Sequence, residues 1–262
     1  MSGPRMPALF VGHGSPLHAI EKDHWSEGFA SLAKLVPRPS AILSISAHWF
    51  IGGTYLTGEA RPQTIHDFSG FPQALYEIEY PAAGCPALAA RACDLIGEDR
   101  AALNTQWGLD HGTWSILRWM FPQADVPVVQ LSIDRNLSAR EHLALGSSLA
   151  PLREEGVLIL GSGNITHNLP DAFGRMRAKN EDTPSWARQF DNAVTDAVSG
   201  RDDPVLASLW PDTENGRLAH PTPDHFFPLL YVYGATDERD TASFPITGFD
   251  LGSLSMRSVL FS

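Results

Sequence analysis

The chain carries ten histidines in 262 residues, a raised share, and four of them, His13, His111, His167 and His220, stand directly beside Gly, Asn or Pro. Three of them follow short apolar runs. Ala8-Leu9-Phe10-Val11 leads into Gly12-His13-Gly14-Ser15-Pro16, Ala41 to Ala47 (AILSISA) leads into His48-Trp49-Phe50, and Val157 to Leu160 leads through Gly161-Ser162-Gly163-Asn164-Ile165-Thr166 to His167. An apolar run that stops at glycine reads as a buried strand handing a side chain to the loop at its carboxyl end. Open α/β sheets gather functional groups at that edge. His111, in Gly108-Leu109-Asp110-His111-Gly112, and His225, in Pro221-Thr222-Pro223-Asp224-His225, lie on turn-rich segments that precede helices. Five imidazoles are therefore expected to face one cleft. A lone loop histidine is ordinarily solvated or hydrogen-bonded; the repeated strand-end placement is what argues for function. Imidazole-rich sets suit Fe(II), Zn(II) and related metals. Neutral donors leave the ion's charge uncompensated, which favours an anionic ligand such as a catecholate, and an uncoordinated histidine then serves as a base near neutral pH.

The other histidines read as structural. His18 and His24 sit in polar surroundings, His142 lies mid-helix beside Arg140 and Glu141 on an expected solvated face, and His220 abuts Pro221 and serves loop geometry. His66 is a pocket-wall candidate that Asp67 could orient. Other chemistries fit less well. Gly12-x-Gly14 has no following Lys-Ser/Thr, and Gly161-x-Gly163 lacks the third glycine of a dinucleotide loop. Ser15 is not on a G-x-S-x-G elbow and Pro16 follows it directly, so it belongs to a turn. A zinc hydrolase would need a carboxylate base, for which Asp110 and Asp224 are the candidates.

The elements that must position these residues alternate. Strands are expected at Pro7–Val11, Ala41–Ala47, Val126–Ile133 and Val157–Leu160, with a weak last strand within Ser253–Phe261. Helices are expected at Trp25–Leu35, Pro86–Ile96, Thr113–Phe121, Ser138–Glu155 (opened by a Ser138/Glu141 capping box), Pro184–Val198, and from His220 through Tyr233 with an irregular turn at Pro228. Residues 51–86 lack strong periodicity and are rich in Gly, Pro and aromatics, as in a lid or pocket wall. The reading is one α/β domain over residues 1–262, with a mainly parallel sheet covered by helices on both faces. A net charge of −11 argues against nucleic acid as partner. With only Cys85 and Cys93, a disulfide framework and a thiolate zinc site are excluded, and Cys93 is expected in a helix core. No run approaches a membrane span and no signal peptide is recognisable, so a cytoplasmic protein is expected.

Together these motifs are familiar. Gly12-His13-Gly14-Ser15-Pro16, Ser46-Ala47-His48-Trp49, Thr64-Ile65-His66-Asp67-Phe68-x-Gly70-Phe71-Pro72, Gly163-Asn164-x-x-His167-Asn168-Leu169 and Pro221-Thr222-Pro223-Asp224-His225 run in order along nearly the whole chain. The sequence strongly resembles the DOPA-dioxygenase-like branch of the class III (LigB-type) extradiol ring-cleavage dioxygenases. The resemblance implies a LigB-like fold and a mononuclear non-haem Fe(II) site that opens a catechol with O2 to a semialdehyde. It implies His13, His48 and His225 as metal ligands, His167 as the acid/base that can approach the metal as a fourth ligand, and His111 as a hydrogen-bonding partner of substrate or oxygen. The wider class has glutamate at the third ligand position; histidine there makes a more cationic site that should hold Zn(II) at least as well as Fe(II). Trp49, Phe68, Phe71 and Phe226 are expected to wall a dry pocket, and Arg61 or Arg118 to meet a substrate carboxylate. The glycines around His13 are expected to leave room for substrate. A homo-oligomer is compatible with the family. Its fold also admits non-catalytic binding modules, to which retention of both His167 and His111 is opposed.

Overall fold

The computed structural model describes residues 5–262. The strands are β1 (Ala8–Gly12), β2 (Ala41–Ile51), β3 (Thr54–Thr57), β4 (Ala101–Asn104), β5 (Val128–Asp134), β6 (Val157–Gly163), β7 (Ala242–Ser243), β8 (Phe249–Asp250), β9 (Leu254–Ser255) and β10 (Val259–Phe261). The helices are α1 (His24–Leu32), α2 (Gln73–Tyr76), α3 (Pro86–Ile96), α4 (His111–Met120), α5 (Ala139–Leu149), α6 (Pro151–Glu154), α7 (Leu169–Ala178), α8 (Ser185–Ser199), α9 (Asp203–Asp212), α10 (Glu214–Ala219) and α11 (Phe227–Gly234), with 3-10 turns at Pro16–Ala19 and Pro223–His225.

Among the described residues an eight-stranded sheet runs in the order β4-β3-β5-β2-β6-β1-β10-β7. Its heart, β5-β2-β6-β1, is wholly parallel. β3 joins β5 antiparallel and carries β4 parallel to itself, while β10 and β7 close the other side antiparallel. The central strands are apolar on both faces because both faces are covered. Phe10, Leu43, Ile45, Leu131 and Ile159 pack toward Phe190 and Val194 of α8 and Leu229 and Val232 of α11. Leu9, Val11, Ile42, Val128 and Leu158 pack the other way, toward Trp25 and Phe29 of α1 and Trp114 and Leu117 of α4. Burying one such side chain is worth about 1.5–3 kcal/mol, so the two layers hold the strand ends on a rigid frame. The single α/β domain with a mostly parallel sheet is as expected.

Several details differ. The segment after β2 is not all loop, since β3 and, beyond the lid, β4 extend the sheet edge. The expected helix through Glu155 breaks after Leu149, where Pro151 starts a separate turn that leads to β6. The expected tail strand is split: β9 pairs with β8 in a small separate sheet and β10 with β1. The stretch from His220 to Tyr233 is not one helix but a 3-10 turn followed by α11, with Pro228 harmless in the first turn of that helix. His142 is not solvated. It is buried, with Nδ1 3.0 Å from the Tyr231 hydroxyl and its ring 4.3 Å from that of Phe227. A helix carrying charges at Arg140 and Glu141 still turns the next residue inward, one hundred degrees or so on.

Two local features aim the histidines. Along β2 the pairing with β5 jumps from Ile45–Leu131 to Phe50–Ile133, so the strand bulges over the stretch that contains His48. At the end of β6, any side chain on Gly163 would collide with the His225 carbonyl, and that carbonyl accepts the Asn164 N–H at 3.0 Å. The Pro223–His225 turn can approach β6 only because Gly163 has no Cβ.

Candidate metal centre

His13 follows directly on β1, and its N–H donates to the Gly163 carbonyl at 2.9 Å. His48 comes from the β2 bulge and His225 from the 3-10 turn before α11. His111 is the first residue of α4, placed by Asp110, which caps the helix by accepting the Thr113 N–H at 3.2 Å. The ring of His13 lies 5.0 Å from His48, 5.1 Å from His225 and 5.9 Å from His111. His167 stacks face to face on His225, centroids 3.4 Å apart and planes within 6°. Thus the five strand-end and turn histidines do meet at one place.

The hydrogen bonds around these rings fix which nitrogen is free. The Ser162 hydroxyl has one proton, which it donates to the Gly112 carbonyl at 2.6 Å. It must therefore accept from His13 Nδ1 at 2.9 Å, and His13 Nε2 is left as a bare lone pair. His225 donates Nδ1–H to Asp224 at 2.5 Å, and its Nε2 is buried without any hydrogen-bond partner. His48 Nδ1 lies 3.3 Å from Asp67 Oδ2, which favours the proton on that side. His48 Nε2 then faces His13 Nε2 at 3.2 Å.

With the proton of His48 on Nδ1, toward Asp67, the two Nε2 lone pairs face one space that a cation fits; with it on Nε2, His48 would instead donate to His13 and give up the contact with Asp67. Protonation is disfavoured. Burial, and then repulsion from His225, His111 and other imidazoles, holds His13 well below the ordinary histidine value. Burial and the nearby His111, His13 and His225 do the same for His48, and burial with His167, His220 and His111 for His225. The donor atoms of His13, His48 and His225 all lie within 4.8 Å of one another. An orphaned buried nitrogen, a lone-pair contact and three neutral imidazoles held by neighbours fit a divalent metal of borderline softness.

The remaining two histidines stand beside this set. His167 groups with Asp224 and His225 rather than with His13 and His48. Its imidazole is lowered to about 4, by burial first and then by His220 and His111, against the opposing charge of Asp224. His111 is gripped by Asp67, which accepts its N–H at 2.8 Å and its Nδ1–H at 2.9 Å. Burial works against ionisation of Asp67, yet the bonds and charges of His111 and His48 hold its carboxyl at about 2.

Asp67 does not orient His66, whose Nε2–H donates to the Ile78 carbonyl at 3.0 Å within the same loop. His66, Phe68, Phe71 and Tyr76 form an aromatic cluster in the loop, and Phe68 meets His111 edge-on at 5.4 Å. Phe68 and Phe71 thus belong to the wall of the site. Trp49 and Phe226 do not: Trp49 is buried against Trp107, and Phe226 packs on Phe190 and His220. Arg61 lines an outer recess with Glu79, and Arg118 lies two turns along α4 from His111, over Trp119. The glycines beside His13 make room for protein rather than substrate. A Cβ on Gly12 would come within 2.7 Å of the Met256 backbone, and one on Gly14 within 2.5 Å of its sulfur.

Neither candidate base of a hydrolase is offered to the centre. Asp110 is sealed by donors from Ser46 at 2.7 Å, Thr113 and Gln130, and burial with the nearby Asp67 charge raises it to about 6. Asp224 is spent on His225. Three residues were not singled out by sequence reasoning: Ser162, which sets the tautomer of His13, and Gln130 and Asn164. Asn164 accepts the Gly14 N–H at 3.3 Å and donates to the Ser255 carbonyl at 2.8 Å, tying the His13 loop to the C-terminal segment. Ser162 and Asn164 were signalled only as polar residues among the glycines that follow the apolar run Val157–Leu160, and Gln130 only as a polar residue inside β5.

Comparison with known proteins agrees with this geometry. The family model for the catalytic LigB subunit of aromatic ring-opening dioxygenase matches residues 7–250. A 4,5-DOPA dioxygenase extradiol from Escherichia coli K12 is 44% identical, over 99% of this chain and 96% of that protein. Another from Beta vulgaris is 38% identical over 97% of this chain and 96% of its own. The crystal structure of an uncharacterised protein from Escherichia coli K12 superposes with a TM-score of 0.82 at 38% identity, covering 98% of this chain and 99% of that one. With its histidine cluster, its mostly parallel sheet and relatives alike over nearly their full length, this chain belongs to the LigB family of aromatic ring-opening dioxygenases, in its extradiol branch.

Proposed function

We propose that the protein opens a catechol resembling DOPA with O2 at a mononuclear non-haem Fe(II) held by His13, His48 and His225, with His167 as acid and base and His111 as a hydrogen-bonding partner of the substrate. The observation that carries this is the convergence of three imidazoles, two of which, His13 and His225, have their ring N–H committed to Ser162 and Asp224, while His48 Nδ1 lies beside Asp67. The relatives from Escherichia coli and Beta vulgaris are both named for DOPA, which supports a catechol of that kind. Three neutral ligands bring no negative charge, so the site favours the catecholate over a neutral phenol.

A bound metal would supply one point that holds catecholate and O2 side by side and lets electron density pass between them. The rest falls to the chain. His167, neutral at pH 7 and outside the ligand set, takes the proton from a catechol hydroxyl and returns it as the ring opens. Phe68 and Phe71 press on the His111 side and keep water out. Net, the ring carbon–carbon bond beside one hydroxyl breaks and both oxygen atoms enter the product, a semialdehyde acid. Zn(II) fits the same three nitrogens and is the ion expected to compete during isolation. No helix among the described residues is long and apolar enough to cross a membrane, which agrees with a cytoplasmic enzyme working on a small substrate.

The test is to load the protein with Fe(II) without oxygen, add a panel of catechols and admit O2. A yellow ring-fission product is expected with DOPA or a close analogue. Bound iron with no ring fission from any catechol would overturn the reading and favour a binding module.

A further inference from the structure

The loop that carries Asp67 is not held by Asp67 alone. Ile65 N–H donates to the Leu109 carbonyl at 2.7 Å, the Trp114 indole donates to the Ile65 carbonyl at 2.8 Å, and the Tyr80 hydroxyl donates to the Phe121 carbonyl at 3.0 Å. The loop is therefore stapled to α4 and to the segments on either side of it. From that support one carboxylate reaches two histidines. It takes both the backbone N–H and Nδ1–H of His111, and it stands 3.3 Å from Nδ1 of His48. The rings of His111 and His48 are themselves only 3.9 Å apart. Two bonds to one residue, one to its backbone and one to its ring, leave the ring no freedom to flip. The neutral ring then has its proton at Nδ1, so Nε2 is a bare acceptor.

We propose that Asp67 is a positioning residue of the ring-opening reaction, which fixes the direction and tautomer of His111 so that its Nε2 accepts a hydrogen bond from the substrate hydroxyl. This rests on the ring-opening role argued above. It differs from a role in which His111 only donates: with Asp67 in place, neutral His111 can receive but not give. Asp67 acts through His111, and more weakly on His48, because the longer contact to His48 constrains that ring less.

Asp67→Asn is the sharpest variant. It keeps the shape, but its amide nitrogen offers protons where Asp67 offers lone pairs, so His111 is driven toward the tautomer with Nε2–H. Partners that orient a metal-ligating histidine typically cost about 10- to 100-fold when removed, and a loss of the same order is expected for one that orients His111. The expected result is kcat lower by about that factor, a small change in KM for the catechol, and metal content equal to wild type. Asp67→Glu should recover part of kcat. On a His111→Asn background, Asp67→Asn should cost little more, because the two act as one unit. Wild-type kcat in Asp67→Asn, or equal losses on both backgrounds, would overturn the proposal. So would loss of the metal, which would make Asp67 a support of the ligands instead.

A second readout does not depend on turnover. In the Zn(II)-loaded protein with nitrogen-15-labelled histidine, the His111 ring should show a protonated Nδ1 and an unprotonated Nε2, and Asp67→Asn should reverse them. An unchanged pattern in the variant overturns the role of Asp67. If no catechol is opened even by wild type while the tautomer reverses as stated, the ring-opening reading fails and the control of His111 by Asp67 stands.

Discussion

His142 and His220 are buried as deeply as His13 and His225, and both are lowered to about 4, chiefly by burial. Each has one nitrogen engaged, His142 with the Tyr231 hydroxyl and His220 with the Ile165 carbonyl, and each has its other nitrogen buried with no partner. His225 likewise has one nitrogen engaged and the other buried without a partner, and burial holds it well below the ordinary histidine value. What separates them is where the free nitrogen goes. Those of His13, His48 and His225 converge, whereas those of His142 and His220 join no group of possible ligands among the described residues. Burial, a depressed proton affinity and an unpartnered nitrogen are thus compatible with simple core packing. Convergence is what marks a metal centre.

The comparison breaks most sharply at the ligands. His13→Ala or His225→Ala removes one of three donors and leaves the other two lone pairs facing an emptier space. Loss of both metal and ring opening is expected, read by metal analysis of the purified protein. His220→Asn, which leaves the convergent set intact, should keep its metal. Stoichiometric metal in His13→Ala would sink the assignment of that residue.

A smaller effect is expected at His167, which stacks on a proposed ligand without joining the group. His167→Gln removes the acid/base while keeping a planar polar side chain against His225. General acid–base groups typically contribute about 10²- to 10⁴-fold, so kcat should fall by that order with metal retained. Metal lost together with activity would instead move His167 into the ligand set.

Much of this was legible in the sequence, because strand-end placement is a local signal. An apolar run followed by Gly-His states both that the strand is buried and that the imidazole leaves at its carboxyl end, and β1 obeys; β2 instead runs on through His48 to Ile51 and presents that ring from a bulge, and His167 follows β6 after three intervening residues. The unread part is long-range. Nothing near Asp67 indicates that its partner is forty-odd residues away at His111 rather than next door at His66. Ser162 looks like any small strand residue until its proton is traced to Gly112. Trp49 and Phe226 read as pocket aromatics from their motifs, but which face a side chain takes in a bulged strand or beside a 3-10 turn depends on packing that the motifs do not encode. His142 was misplaced for the same reason: charged neighbours describe the exposed side of α5, and the helix turns the next position toward Tyr231 and Phe227.

His142 also allows the gentlest test, because it isolates the cost of burying a histidine that binds nothing. Burial lowers it to about 4 despite the opposing charges of Asp134 and Glu141. In the unfolded chain its value is near 6.5. Above that pH both states hold it neutral and it contributes no pH dependence. As pH falls from about 6.5 toward 4, the unfolded chain takes up a proton that the folded one refuses, so stability is lost. The loss from this residue amounts to roughly 2 kcal/mol by pH 5 and roughly 3 kcal/mol near pH 4. His142→Gln removes the titration and weakens the bond to Tyr231, at a cost of about 1 kcal/mol at pH 7. Urea unfolding of the metal-free protein should therefore find the variant less stable at pH 7, with the gap closing and then reversing by pH 5. Taking the difference between wild type and variant cancels the other histidines, including the convergent three. A gap that stays constant between pH 7 and 5 would mean that His142 takes its proton in the folded state as readily as in the unfolded one. Burial alone would then not explain the neutral imidazoles at the centre, and their depressed proton affinity would have to come from one another.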